Sequence, residues 1–154
     1  MSQPSLRDRA LRCLSRRDHS RAELVRKLAP YGTDEEIGAV LDHMAELSLQ
    51  SDTRMAESWV RSRAGRFGRA RLQNELARRG LARNLIDEAL ANGDMASEPE
   101  RARAVWQSRY SALPSDAREW GKQARFLLAR GFSSEVVRAV LHGMPEENVE
   151  DWTP

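Results

Sequence analysis

Arginines crowd around a short turn near the middle of this chain. The turn reads Gly65-Arg-Phe-Gly68, and seven arginines flank it or close the segment after it: Arg61, Arg63, Arg66, Arg69, Arg71, Arg78 and Arg79. A guanidinium group can form paired hydrogen bonds with a phosphate or a carboxylate. Like charges packed around one turn repel each other, and a negatively charged partner would offset that repulsion. We therefore take these seven residues as the candidate partner-binding site.

The sequence allows two interpretations of the partner that these arginines bind. DNA phosphates and acidic residues of another protein would both suit them. The aromatic residues do not alternate with the arginines in a base-stacking pattern, so contact with DNA would be to the backbone and not to the bases. Arg78 and Arg79 also have a structural alternative, because positive charge stabilises the C-terminal end of a helix whether or not a partner binds.

Catalytic and metal-binding patterns are missing from the sequence. The central turn lacks the Lys-Ser/Thr pair of a phosphate-binding loop. The three histidines, His19, His43 and His142, lie far apart and have no second ligand at metal-binding spacing. Cys13 falls near the apolar face of a helix, as a buried structural thiol does. The sequence therefore predicts a protein that is not an enzyme and that holds neither a metal nor a cofactor.

Three helical repeats are predicted to position these residues. The phrase Leu-x-x-x-Gly occurs three times, ending at Gly32, Gly80 and Gly131, which are 48 and 51 residues apart. Apolar residues recur at spacings of three and four, and Ser20–Glu23 and Thr33–Glu36 have the form of capping boxes. A period of this length is typical of helical repeat proteins. We predict an all-α fold of three tandem three-helix repeats that form an elongated, curved helical array.

The predicted boundaries follow from aligning the three copies. The repeats are expected at residues 1–50, 51–96 and 97–143, and a disordered acidic tail at 144–154. Each unit alone is too small to be stable, so neighbouring repeats must share a core.

Several local features are predicted within these repeats. Gly32 is expected to end the second helix in the left-handed conformation. Ser115 is expected to cap the eighth helix and Ser133 the ninth. Trp59 and Trp106 occupy equivalent positions, and we expect both to lie in the core.

Composition excludes some classes of protein and leaves others open. No stretch of the 154 residues approaches the roughly 20 apolar residues of a membrane span, and the N-terminus has no signal-peptide core. A single cysteine and this absence of a leader predict a cytoplasmic protein with no membrane contact. The net charge is only +2, but residues 54–83 hold nine arginines against two acids. Stacked repeats could align such basic segments against a phosphate backbone or an acidic partner.

Three phrases resemble one known family. The segment Ala56-Glu-Ser-Trp-Val-Arg-Ser-Arg63, followed by Gly68-Arg-Ala-Arg-Leu-Gln-Asn-Glu-Leu-Ala-Arg-Arg-Gly80, resembles the central repeat of the bacterial RecX family. Members of that family regulate the recombinase RecA. Leu128–Leu141 is similar to the family's C-terminal phrase, and Arg16–Leu24 is similar to its first repeat. The likeness covers about residues 6–143.

The resemblance implies a function that the residues alone do not indicate. It implies that the chain binds RecA and its filament on single-stranded DNA, lies in the groove of the filament, and inhibits the recombinase, ATPase and co-protease activities. It thereby implies a role in regulating DNA repair and the SOS response, and we expect a monomer. The alternative is a non-specific helical DNA-binding protein that acts independently of RecA, because basic helical units also suit a DNA backbone.

Overall fold

Helices make up the whole regular structure of the part of the chain that is described. The computed structural model describes residues 2–92 and 95–142, and this part contains no strand. The α-helices are α1 (Leu6–Arg16), α2 (Arg21–Leu28), α3 (Asp34–Glu46), α4 (Asp52–Arg63), α5 (Arg69–Arg78), α6 (Arg83–Ala91), α7 (Glu98–Gln107), α8 (Ala117–Ala129) and α9 (Ser134–Leu141). The all-α prediction is confirmed. The predicted tail at 144–154 lies outside the described residues.

The chain divides into two compact units, each with an apolar core. The first unit holds Met1–Val60 with Glu75–Gly93, and the second holds Arg61–Asn74 with Asp94–Pro154. The core of the first unit contains buried side chains of α1, α2 and α3: Ala10, Leu24, Leu28, Ile37, Leu41 and Met44. The core of the second unit is built by α7, α8, α9 and Phe132 of the turn before α9. Trp59 and Trp106 are each 8% exposed, so both are buried as predicted.

Side-chain caps begin several of the helices. Ser20 and Glu23 form the reciprocal hydrogen bonds of a capping box at α2, and Thr33 and Glu36 do the same at α3. Ser133 accepts a hydrogen bond from the Val136 amide at 3.2 Å. Each such cap stabilises a helix by about 1 kcal/mol. The sequence predicted all three.

The prediction that Ser115 caps α8 is wrong by one residue. Asp116 is the cap, and its carboxylate accepts a hydrogen bond from the Glu119 amide at 2.8 Å. Ser115 instead donates its amide and hydroxyl to the Glu119 carboxylate at 2.9 and 3.0 Å. The spacing explains the difference, because the cap and a Glu three residues later form the favoured pair, and Glu119 lies three residues after Asp116.

The left-handed conformation predicted for Gly32 is also wrong. Helix α2 ends at Leu28, and a short 3₁₀ turn, Ala29–Tyr31, follows it with Pro30 in its first turn. Gly32 is then extended (φ −169°), a conformation that any residue can adopt. A Cβ atom there would lie 2.7 Å from Leu6 Cδ1, the end of a flexible side chain that can shift, so neither backbone conformation nor space strictly requires a glycine at this position.

Gly80 and Gly131 do have positive φ values, +77° and +91°, and both lie at contacts between repeats. In the second unit, the Gly68 amide donates to the Arg130 carbonyl at 2.7 Å, and the Ala70 amide donates to the Gly131 carbonyl at 3.2 Å. A Cβ atom on Gly68 would overlap the Gly131 carbonyl group. The turn that follows α8 is thus bound to the start of α5.

The first unit repeats this contact with different residues. Ser20 Oγ donates to the Arg79 carbonyl at 2.6 Å. A Cβ atom on Gly80 would overlap the Ala22 side chain, so the chain comes as close here as it does at Gly131. The last carbonyl groups of a helix have no partner within that helix. In both units, such carbonyl groups accept hydrogen bonds from the first residues of the second helix of the preceding repeat. The negative end of one helix therefore meets the positive end of another.

Replacing Gly68 with alanine tests this contact. The added Cβ overlaps backbone, which cannot rotate away, so we expect Gly68→Ala to lower the free energy of unfolding by about 1–3 kcal/mol. Gly65→Ala is the matched control in the same turn, because no atom lies within 4 Å of its Cβ position. Its effect should stay within about 0.5 kcal/mol. Urea unfolding followed by circular dichroism measures both, and equal effects of the two variants would contradict the assigned contact.

Buried His19 makes the first unit sensitive to acid. The side chain is 3% exposed. Its Nδ1 lies 3.0 Å from the Arg17 carbonyl and its Nε2 lies 3.4 Å from Lys27 Nζ. These contacts suit a neutral ring that donates from Nδ1 and accepts at Nε2. Burial lowers the pKa of His19 below its ordinary value of 6.5, and the nearby charges of Arg17 and Lys27 lower it further.

Glu23 also makes the stability of the folded chain fall as the pH falls, but it does so at a lower pH than His19. Burial raises the pKa of its carboxyl group, but hydrogen bonds from the Arg17 guanidinium, at 2.6 Å, and from the Ser20 amide more than offset this and leave it below its ordinary value. Both groups therefore bind protons more weakly in the folded chain than in the unfolded chain. Their contributions to stability are present at neutral pH and are lost as pH falls, first below about 6.5 for His19 and then below about 4.5 for Glu23.

We predict that wild-type protein loses more unfolding free energy between pH 7 and pH 5 than a His19→Gln variant does. Glutamine cannot take up the proton, so the component of the pH dependence that comes from residue 19 should disappear. Denaturant titrations at several pH values measure the difference. Parallel curves for the two proteins would show that His19 titrates normally.

Candidate partner-binding site

The turn between α4 and α5 has a defined geometry within the second unit. The amides of Arg66 and Phe67 both donate to the Arg63 carbonyl, at 3.0 and 3.1 Å. Just beyond them, Gly68 is hydrogen-bonded to the Arg130 carbonyl. The turn is therefore fixed before any partner arrives, and fixing it in advance lowers the entropic cost of binding.

Five of the seven candidate arginines lie around this turn in the second unit. Four are exposed and Arg63 is half-buried. No atom lies within 4 Å of the place where a Cβ atom of Gly65 would be. The five are Arg61, Arg63, Arg66, Arg69 and Arg71. We call this part of the predicted site the arginine turn.

Phe67 supports two of these arginines. The Arg71 guanidinium lies 3.9 Å from the centre of the Phe67 ring, and the Arg66 guanidinium lies 5.4 Å from it. Cations at these distances are attracted to the face of an aromatic ring. The sequence analysis did not identify Phe67 as part of the site. The signal was present, because Phe67 is adjacent to one arginine and four residues before the other.

An acidic residue also reaches this surface. The Arg69 amide donates to Glu98 Oε1 at 3.1 Å. The carboxylate thus lies at the positive end of α5, where it stabilises the helix. Glu98 is the first residue of α7, and its sequence position gave no indication of this contact.

Arg78 and Arg79 belong to the first unit, not to the second. The Arg79 guanidinium lies 3.8 Å from the centre of the Trp59 ring and donates to the Glu75 carbonyl at 3.1 Å. Its own carbonyl accepts the hydrogen bond from Ser20. Arg79 is half-buried and packed into the fold, so the structural alternative accounts for it. Arg78 is exposed, and its carbonyl accepts a hydrogen bond from Arg26 at 3.2 Å.

Metal and membrane sites were also sought in the described part of the chain. Residues 2–92 and 95–142 hold no group of three His, Cys, Asp or Glu side chains that could bind a metal ion. No helix in those ranges has the length and apolar character needed to cross a membrane. The prediction that Cys13 is fully buried is wrong. Its side chain is half-buried and packs against the core of the first unit.

Three models of protein-family domains match consecutive segments of the chain. The matching models are described as the first, second and third three-helix domains of RecX, and they cover residues 7–44, 51–90 and 97–141. The chain belongs to the RecX family. The prediction of three tandem three-helix units and the resemblance noted in the sequence are both confirmed.

Individual RecX proteins support the same assignment. The chain is 47% identical to "Regulatory protein RecX" of Leptothrix cholodnii over 152 residues, covering 98% of this chain and 96% of that protein. It is 48% identical to the protein of the same name from Ralstonia nicotianae over 140 residues, covering 90% and 87%. These relatives are named as regulators, and RecX is a family of regulators rather than of enzymes.

Solved structures of RecX proteins share the fold. "Crystal structure of regulatory protein RecX" matches with a TM-score of 0.74 and 25% identity, covering 88% of this chain and 70% of that one. "Crystal structure of RecX from Lactobacillus salivarius" matches with a TM-score of 0.76 and 24% identity, covering 89% and 92%. The fold is thus retained although most residues differ.

Reversing charge on the arginine turn tests whether it binds a partner. We expect Arg63→Glu/Arg66→Glu/Arg69→Glu to weaken partner binding at least tenfold, because several charge-assisted contacts are lost together. Helical content and melting temperature should change little, since the backbone contacts of the turn remain. Arg103→Glu/Arg118→Glu/Arg125→Glu is the control, with the same change in net charge on exposed residues of the same unit. Equal weakening by both triple variants would mean that only net charge matters.

Proposed function

We propose that the chain is a negative regulator of RecA that binds the RecA filament on single-stranded DNA. Bound there, it inhibits the recombinase, ATPase and co-protease activities of the filament, and it thereby regulates DNA repair and the SOS response. Membership of the RecX family across nearly the whole chain supports this proposal. The protein acts as a monomer in the cytoplasm.

The observation that carries the proposal is the arginine turn, a group of five arginines in the second unit, four of them exposed, beside a turn that backbone hydrogen bonds fix. A filament of protein on DNA offers both carboxylates and phosphates, and guanidinium groups bind either one. The inhibition requires no chemistry. A protein lodged against the filament blocks the subunit motions that ATP turnover and strand exchange need.

The alternative is non-specific DNA binding that does not depend on RecA. The same arginine turn favours it, because guanidinium groups on an exposed turn also suit a phosphate backbone. The two functions separate in a pull-down with purified RecA after nuclease treatment. Retention of RecA without DNA supports the regulator, and its complete loss supports the alternative.

Adding this protein to a RecA filament on single-stranded DNA should lower the rate of ATP hydrolysis at sub-stoichiometric ratios. One bound molecule that hinders several neighbouring RecA subunits would inhibit ATP hydrolysis by more than one subunit. A coupled ATPase titration at constant DNA measures the effect. The experiment is repeated with an excess of unrelated double-stranded DNA, which should not relieve the inhibition if RecA is the target.

An unchanged ATPase rate at equimolar protein would contradict the proposal. Inhibition that vanishes with the competitor DNA would instead favour the independent DNA-binding function. The Arg63→Glu/Arg66→Glu/Arg69→Glu variant adds a further control in the same assay, since it should inhibit only at much higher concentration.

A further inference from the structure

A cavity in the first unit is surrounded by positive charge. It has a volume of about 160 Å³, and four cationic side chains line it: Arg9, Arg12, Arg16 and Lys27. Cys13, Leu28 and Tyr31 complete the lining, so no carboxylate from the described residues lines the cavity. All of these residues belong to the first unit, whereas the arginine turn belongs to the second.

The cations converge because of their spacing. Arg9, Arg12 and Arg16 stand at positions i, i+3 and i+7 of α1, which places them on one face of the helix. Like charges three and four residues apart destabilise a helix. Arg16 has a separate explanation, because positive charge stabilises the last turn of a helix. That explanation does not extend to Arg9 and Arg12, which lie further from the helix end.

The charge of this cluster is not neutralised within the described part of the chain. Arg12 and Arg16 form no ion pair there. The Arg9 guanidinium lies 3.5 Å from the centre of the Tyr31 ring and donates from Nη2 to the uncharged Gln3 Oε1 at 3.5 Å, and its buried Nε atom has no hydrogen-bond partner among the described residues. Lys27 contacts the His19 ring, which is a neutral base and not an acid. Tyr31 therefore holds the Arg9 guanidinium in place, while the guanidinium groups of Arg12 and Arg16 form no hydrogen bond or ion pair with the described residues.

We propose that this cavity binds a polyphosphate group, such as the phosphate chain of a nucleoside triphosphate. Four cations around a small volume match a ligand that concentrates several negative charges, and guanidinium groups bind phosphate oxygens in pairs. A strand of nucleic acid carries one charge per nucleotide and spreads it along the chain. Pockets for drug-sized molecules measure about 300–1,000 Å³. Arg12, Arg16 and Lys27 are exposed, so the cavity is an open depression that has room for the phosphates, and any nucleoside attached to them stays outside.

Calorimetric titration of the full chain with inorganic triphosphate, at about 0.15 M salt to screen weak surface attraction, tests the site. ATP should bind in competition with triphosphate, and inorganic phosphate and AMP should bind far more weakly. A single-stranded oligothymidylate forms the last arm. It distinguishes a compact polyphosphate from a phosphodiester backbone as the source of the phosphate.

One substitution and a matched control locate the binding. Arg12→Gln removes a cation from the cavity, and we expect it to weaken triphosphate binding by about tenfold or more, the usual effect of losing hydrogen bonds to a charged group. Arg7→Gln makes the same change at an exposed residue of α1 that does not line the cavity, and it should alter the affinity by less than about twofold. Without ligand, Arg12→Gln should melt no lower than wild type, because it relieves repulsion.

Three results would overturn the proposal. The first is the absence of a measurable heat of binding with triphosphate at millimolar concentration. Arg12→Gln and Arg7→Gln could weaken it equally, which would indicate diffuse attraction to the basic surface. The oligothymidylate could bind more tightly than triphosphate and lose that binding in Arg12→Gln, which would assign the cluster to a nucleic acid strand.

Discussion

The close contact of a glycine turn with the start of another helix is the constraint on which the rest of the structure depends. It occurs at Gly131 against the segment from Gly68 to Arg71, and again at Gly80 against Ser20 and Ala22. Neither approach leaves space for a side chain on the glycine. Carbonyl groups at the helix ends then accept hydrogen bonds from another repeat, so each repeat completes its neighbour. Units of this kind are too small to be stable alone.

The same contact determines where the candidate site can form. The amide of Gly68 is bonded to the Arg130 carbonyl, and the arginine turn begins immediately before it. Phe67 and Glu98 then offset part of the repulsion among the guanidinium groups. A surface that concentrates positive charge would be costly on a loose loop, because the side chains would separate. Here it is held on a rigid support, which suits recognition of a polyanionic partner.

Sequence reasoning predicted local structure well because local structure depends on near neighbours. The capping boxes, the helices and the burial of Trp59 and Trp106 all follow from spacings of three, four or one repeat. Two of the wrong predictions, those for Gly32 and Ser115, have local causes as well. A proline-containing 3₁₀ turn separates α2 from Gly32, and Glu119 pairs with Asp116 and not with Ser115.

The contacts that could not be predicted join residues far apart in sequence. Ser20 and Arg79 are 59 residues apart, and nothing in either phrase indicates that they meet. The burial of His19 and the approach of Glu98 to α5 are of the same kind. For the candidate site, the sequence predicted which arginines share the turn. It could not show that Arg79 packs on Trp59, whereas the spacing of Phe67 and Arg71 did offer a signal that was not used.

Hydrogen–deuterium exchange of this protein, free and bound to the RecA–single-stranded DNA filament, is the measurement that tests the central claim most directly. If the arginine turn is the contact, peptides covering residues 61–71 should exchange more slowly in the complex than in the free protein. The exchange of peptides that cover α3 should be unchanged, and these peptides serve as the internal control. Exchange at 61–71 that stays the same on a saturated filament, while another segment is protected, would contradict the account.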